Sequence, residues 1–494
     1  MWLRRWHDKC RFLGLLSLYL SCAPLLAQTL SQRAIYERCH AKLVRETPEA
    51  NDPFIPQILA GTLTGAAACR ALAEIPRFGA DNRVPAYTTD PWRAEQAKKI
   101  LSSVSDLHSS WLSIKDYEYG ANFCSETVTK AIVDPLQPSY YFTRAFFGSS
   151  DISSVLRGTS VPRAIRTVEA PTQSIQHSLI NNTNPVIQGY AGARIVTNGA
   201  LLGVGEEQVN LVTPLLTAVS LATGETVRPT LPNVTTLRSL GGGLLGSPAY
   251  LLNNFSDQGD LIFDLSRMPR TWSKWVFKDL LCRDLPVIGP TDGQAFVAAA
   301  APGVLPFRLS ASCTQCHASM DQFGGLVRNF RNFRTGATCL LAAGSQFHNA
   351  MSVRPVAPTL PLNRVWKAVA DANYHKEPSY GRFFYRTYND VLVNVEVNSL
   401  EQLGAQISSL DDYYICAAKR YYQYFTGIDV DLSPMNPTAL AGLPPDKRFY
   451  RSRVVNLGLQ LKANRNPLAL VQSIFALPEY SKTDLDLRTK AATP

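Results

Sequence analysis

The stretch Ser310-Ala311-Ser312-Cys313-Thr314-Gln315-Cys316-His317 decides how the rest of this chain is read. Two thiols three residues apart, followed at once by a histidine, form the pattern that attaches haem c. On a helix, residues three apart share a face, so both thiols can form thioethers to vinyl groups of one porphyrin. The adjacent imidazole then serves as the proximal iron ligand. Two other readings compete. A redox C-x-x-C pair belongs between a strand and a helix in a βαβ setting, whereas the preceding residues 298–312, with Pro302, Gly303 and Pro306, read as loop. A zinc site needs a second ligand pair at short spacing, and the sequence offers none.

The start of the chain bears on the same question. Met1 to Arg11 is basic, with Arg4, Arg5, Lys9 and Arg11, and residues 12–27 are largely apolar. That is the form of a secretory signal peptide, with cleavage expected near Ala27. Pro24 and the polar residues 28–33 make a poor span of ~20 residues for an anchoring helix. Cys22 raises the alternative of a lipid-modified terminus, which the preceding Tyr19-Leu20-Ser21 fits poorly. Removing residues 1–27 also lowers the net charge from +10 to +7 (45 basic, 38 acidic). A surplus that small and spread out does not point to nucleic acid, although a mildly basic surface can steer an acidic protein partner. No later segment is apolar for long enough to cross a membrane. The mature chain is therefore expected to be periplasmic or secreted, without a transmembrane span, and possible envelope association is kept open.

Of the ten cysteines, Cys10 and Cys22 fall in the leader and Cys313 and Cys316 in the haem motif. Cys39, Cys69, Cys124, Cys282, Cys339 and Cys416 remain, enough for three disulfides in an exported protein. Only Cys39–Cys69 is expected as a specific pair, because both lie in one N-terminal segment.

Hydrophobic residues make up 46% of the 494 and charged ones 18%, which excludes a disordered or fibrous chain and allows several domains. Helical signals dominate. Residues 37–43 and 63–75 read as helix. Asp90 is a cap, Pro91 a first-turn residue, and Ala97, Ile100, Leu101, Val104, His108 and Trp111 then recur at helical spacing. Residues 271–281 read as an amphipathic helix and 400–425 as strongly helical. Residues 171–185 mark a boundary, 186–225 a few short strands, 354–362 a connector, and 431–447 a Pro-rich loop. The expected divisions are a signal peptide (1–27), an N-terminal helical segment (28–86), a helical domain (87–170), a mixed α/β segment (186–300), the haem c-binding region (301–353) and a C-terminal helical domain (363–494). The fold class expected is mainly α with a minor β region, a cytochrome-c-like haem-binding helical segment embedded in a larger helical protein.

If haem is bound, His317 is the proximal iron ligand and the sixth ligand decides the chemistry. Met320 lies too close to His317 to reach the other side. Met351, in an expected loop, is the first choice, His348 is beside it, and His108 is a third option whose simpler reading is a packed core histidine. An open position is the remaining alternative. Arg328, Arg331 and Arg334 recur every three residues, as cations for the haem propionates or equally as a solvated helix face. Trp272 and Trp275 suit core packing better than an electron path. Gly241-Gly242-Gly243-Leu244-Leu245-Gly246 satisfies G-x-G-x-x-G, but no clear strand precedes it, so it is set aside as a dinucleotide site.

Downstream of the motif the chain reads Met320-Asp321-Gln322-Phe323-Gly324-Gly325, then Arg328-Asn329-Phe330-Arg331. It resembles the secreted, cytochrome-c-like planctomycete-type families of unknown function. Their C-x-x-C-H is followed by an Asp-Pro-x-Gly turn and a helix carrying Glu-Asn-Phe-Asp. Asp321, Gly324, Asn329 and Phe330 match. Gln322 stands in place of the proline, and Arg328 and Arg331 in place of acids. Residues 107–112, 242–251, 278–286 and 414–421 resemble further blocks in the same order, so the likeness spans about two-thirds of the chain. It implies a secreted protein with a single haem c and supplies no substrate. The expected function is single-electron transfer with an unidentified redox partner protein. The alternatives are a haem enzyme or ligand sensor with an open iron position, or an envelope binding protein in which haem is auxiliary.

Overall fold

The computed structural model describes residues 29–112, 136–148, 151–167, 199–206, 239–254, 267–302, 304–338, 345–353, 374 and 377–482, together with short paired strands between residues 172 and 236. The expected leader, Cys124, Cys339 and the connector at 354–362 lie outside the described residues. The protein is mainly α with a minor β component.

Helices α1 (Gln32–Leu43), α2 (Phe54–Leu59), α3 (Gly65–Glu74) and α4 (Pro91–Trp111) open the chain. Their starts are capped by side chains: Ser31, Thr64 and Asp90 each accept from the backbone N–H three residues on, as polar N-caps do. Every residue of the apolar series in α4, from Ala97 to Trp111, is buried. Helix α5 (Gln137–Phe147) packs on α4. Farther on come α6 (Pro248–Asn253), α7 (Arg267–Leu281), α8 (Pro290–Gln294) and α9 (Ala311–Gly324). The C-terminal half contributes α10 (Leu400–Ser409), α11 (Asp411–Thr426), α12 (Pro437–Ala441), α13 (Pro445–Asn464) and α14 (Pro467–Phe475). The strongly helical stretch expected at 400–425 is helical and consists of two helices, broken at Leu410.

Helix α11 is buried on nearly every side, the mark of a central helix. Its tyrosines stay satisfied because each hydroxyl finds a partner: Tyr413 donates to the Ile152 carbonyl, Tyr414 to that of Ser408, and Tyr422 to the Glu479 carboxylate, while Tyr421 meets His108. Buried polar tips need such partners. One hydrophobic core runs from Ile35 to Tyr480 and draws residues from each segment after residue 28 marked out by the sequence.

Strands occur where 186–225 suggested them, mostly as two-residue pairs. Longer pairs are β1 (Pro162–Arg166) with β2 (Leu201–Glu206), β3 (Phe330–Thr338) with β4 (Ser345–Val353), and β5 (Gly381–Arg386) with β6 (Leu392–Val397), all antiparallel. The expected disulfide Cys39–Cys69 is present, and a second joins Cys282 to Cys416. Among the described residues no helix is long and apolar enough to cross a membrane.

The glycine loop at 241–246 is a fold element. Gly242 adopts φ 61°, and its N–H and that of Gly158 both donate to the Glu401 carboxylate, at 2.8 and 3.0 Å. The cradle holds a side chain of the protein itself.

Candidate functional site

Cys313, Cys316 and His317 lie on the first two turns of α9. A 3-10 turn at Pro306–Leu309 and loop precede the helix, and no strand leads into it, so the redox-pair reading lacks its βαβ setting. Both thiols are partly exposed and unbonded, although the four other described cysteines are paired. Burial raises the Cys316 pKa, and the neighbouring Cys313 adds to the effect.

The inner face of α9 fixes the helix. Thr314 is buried and donates to the Gly293 carbonyl of α8 at 2.8 Å. Phe323 is buried in an aromatic cluster with Trp272, Phe277 and Phe383, and stacks on Trp272 at 5.1 Å. Trp272 donates its indole N–H to the Leu245 carbonyl, so core packing is its role, as its spacing suggested. Gly324 must be glycine: a Cβ there would sit 2.9 Å from both Pro269 Cβ and the Pro269 carbonyl oxygen.

The polar face builds a chain of three groups. His317 Nδ1 lies 3.1 Å from Asp321 Oδ2, one helical turn on. Asp321 is only 1% exposed at its side chain and takes both prongs of the Arg270 fork, Nε at 2.6 Å on Oδ1 and Nη2 at 3.0 Å on Oδ2. Such bidentate pairs are strong and directional. A carboxylate accepts only, so Nδ1 carries a proton, and in the neutral imidazole Nε2 then keeps its lone pair. Among the described residues Nε2 has no hydrogen-bond partner. The Phe307 ring stacks on the imidazole at 4.3 Å, and the Arg270 guanidinium lies over the Phe307 ring, 5.6 Å from its centroid.

The arginines past α9 depart from expectation. Arg328 is neither on a solvated face nor turned to solvent as a cation for an anionic ligand. It is buried, paired with Glu377 at 2.9 Å, and also donates to the carbonyls of Gly325 and Tyr380. Burial lowers its pKa. Asn329 donates to the Glu377 carbonyl and accepts from Ser379. These two residues pin the segment that leads into β5. Arg331 and Arg334 stand on β3 rather than on a helix, because the chain turns extended at Phe330. Their side chains lie outside what the structure describes.

The sixth-ligand candidates separate. His108 is fully buried, with Nδ1 2.9 Å from the Thr143 hydroxyl and Nε2 2.8 Å from that of Tyr421. Burial pushes its pKa down to about 3. With both nitrogens engaged it is a core histidine, the simpler of its two readings. Met351 and His348 lie on a strand, not in a loop: β4 pairs them with Asn332 and Thr335 of β3. Their side chains also lie outside the description.

Residues 107–112, 242–251, 278–286 and 414–421 meet in space. Besides the His108–Tyr421 bond, Trp111 packs edge-on against Tyr421 at 4.7 Å, and Arg420 lies over Trp111 and donates to the Lys278 carbonyl. Tyr250 donates to Asp279, and Cys282 is bonded to Cys416. Asp321 was legible as a motif residue four beyond His317. Arg270, 51 residues before Asp321, Phe307 and Glu377 carried no local signal toward the site.

Among the described residues no three His, Cys, Asp or Glu side chains converge closely enough to hold a metal ion. A porphyrin does not ask for such convergence, since its thioether positions are on the ring edge and its iron at the centre. No protein-family model, curated protein or solved structure matches the chain.

Proposed function

We propose that the chain is an exported monohaem c-type cytochrome that exchanges single electrons with a redox partner protein. One observation carries the reading. Cys313 and Cys316 stay unbonded on one helical turn while the other described cysteines pair, and the next residue offers an imidazole whose Nδ1 is fixed and whose Nε2 is open. These residues fit haem c: Cys313 and Cys316 would hold the ring through thioethers, and His317 would ligate the iron. The bound haem would supply a centre that gains or loses one electron. Asp321 orients the imidazole, and Phe307 covers one of its faces. The family likeness, the basic-then-apolar start and the paired cysteines support an exported location, with a signal peptide ending near Ala27 and possible envelope association.

A second reading, a haem enzyme or sensor with an open iron position, is favoured by the carboxylate on Nδ1. Such a partner raises the basicity of the ligand, which suits iron that binds or activates small molecules. The native spectrum separates the two. Six-coordinate low-spin iron in both oxidation states supports the electron carrier, and uptake of carbon monoxide or cyanide supports the open site.

The test of attachment is a spectrum of the exported protein after denaturation. Haem that stays with the denatured chain, and is lost in Cys313→Ala/Cys316→Ala, is the expected result. Wild-type protein that carries no haem after denaturation overturns the proposal.

A further inference from the structure

We infer that Asp321 and Arg270 form a tuning pair that sets how strongly His317 donates to the iron of a bound haem; the inference rests on the haem reading above. The geometry distinguishes this from an ion pair that merely holds α9 in place. One oxygen, Asp321 Oδ2, serves both the His317 Nδ1 proton (3.1 Å) and Arg270 Nη2 (3.0 Å). What Arg270 withdraws from that oxygen, His317 loses as acceptor strength.

The two side chains therefore act in opposite directions. An ionised carboxylate drawing on the Nδ1 proton raises electron density at Nε2, which favours the oxidised iron. Arg270 engages both carboxylate oxygens, spreads the charge and moderates that effect. Asp321 is 1% exposed at its side chain, so water does not dilute the interaction, while Arg270, at 28%, reaches the surface. Asp321 and Arg270 touch no reacting atom. Both are positioning residues that act through His317.

The experiment measures the midpoint potential by spectroelectrochemistry and the iron–histidine stretch of the ferrous protein by resonance Raman, on haem-loaded wild type and three variants. Asp321→Asn keeps an acceptor but removes the charge. At a fixed applied potential its reduced-to-oxidised ratio is expected to rise about tenfold, ~59 mV for one electron, with a lower stretching frequency. Arg270→Gln frees the carboxylate and is expected to lower the ratio about threefold, with a higher frequency. Asp321→Glu, which restores the charge, is expected to return toward wild type. Shifts of one sign in both Asp321→Asn and Arg270→Gln, or no shift in either, overturn the inference and leave the haem reading standing. If Asp321→Asn does not accumulate as folded protein, Arg270→Gln decides alone: a fall supports the tuning pair, and no change or a rise overturns it. Wild type without covalent haem overturns both the inference and the reading beneath it.

Discussion

Two histidines on two helices are held in opposite ways. His108 on α4 is sealed: Thr143 and Tyr421 occupy its nitrogens, and Trp111, Phe142 and Phe146 surround its ring. His317 on α9 is anchored on one side only, by Asp321, and its side chain is 23% exposed. The first arrangement spends every polar atom on the fold. The second orients a ring and leaves one nitrogen unspent, as a ligand needs. What surrounds the nitrogens, more than burial by itself, separates a structural histidine from a candidate functional one.

That contrast can be broken at several points. The largest effect is expected from Cys282→Ser/Cys416→Ser, which unties α7, the helix packed on α9, from α11 near Tyr421. The bridge closes a separation of 134 residues, and its loss should cost about 4 kcal/mol in a denaturant titration. Next is the exchange of the histidines themselves. His108→Ala leaves a cavity and two orphaned hydroxyls and should cost about 3 kcal/mol. His317→Ala should cost under about 1 kcal/mol while removing the candidate ligand nitrogen. Equal stability losses for the two would dissolve the comparison.

A third test uses pH. Asp279, buried beside Tyr250, has its pKa pushed up to about 7, mainly by burial. In the unfolded chain it ionises near pH ~4. Its contribution is therefore intact below about pH 4 and declines as pH rises from there to about 7. Asp279→Asn should remove that decline and gain about 2 kcal/mol over wild type at pH 8, with no gain at pH 4. His108 acts the other way. Its folded pKa of about 3 lies below the unfolded value, so stability falls as pH drops from about 6.5 toward 3. The His108→Ala deficit should therefore shrink in acid, as read from melting curves across pH. The smallest effect is expected at Arg45–Asp106, a pair half exposed on both sides. Asp106→Ala should change stability by under about 0.5 kcal/mol and leave both histidines undisturbed.

The legibility of each region follows from how local its causes are. Asp90-Pro91 and the apolar series after it announce α4 and the burial of His108, because cap and period are short-range signals. The C-x-x-C-H motif is shorter still. The Cys39–Cys69 pair was visible for the same reason. Arg328, Arg331 and Arg334 misled because a three-residue spacing reads as a helix face, while the helix has ended at Gly324 and the chain runs as strand from Phe330, which pairs with Val353. Nothing within a few residues of Arg328 announces Glu377, and nothing near His317 announces Arg270. Both are brought in by tertiary packing, which a local pattern does not encode.

The meeting of the two ends of the described chain has a consequence in time. Leu30 donates to the Ser481 carbonyl, Arg38 to that of Tyr480, and Gln472 of α14 to Glu74 of α3, 398 residues away. At ~5–20 residues per second, a chain delivered from its N-terminus brings α14 to α3 only after ~20–80 s. During that wait α1 and α3 have only each other and their near neighbours α2 and α4, and Cys39–Cys69, 30 residues apart, is the one described disulfide that can already hold them. It works as a clasp for the early chain, keeping the first helices paired until their last partner arrives.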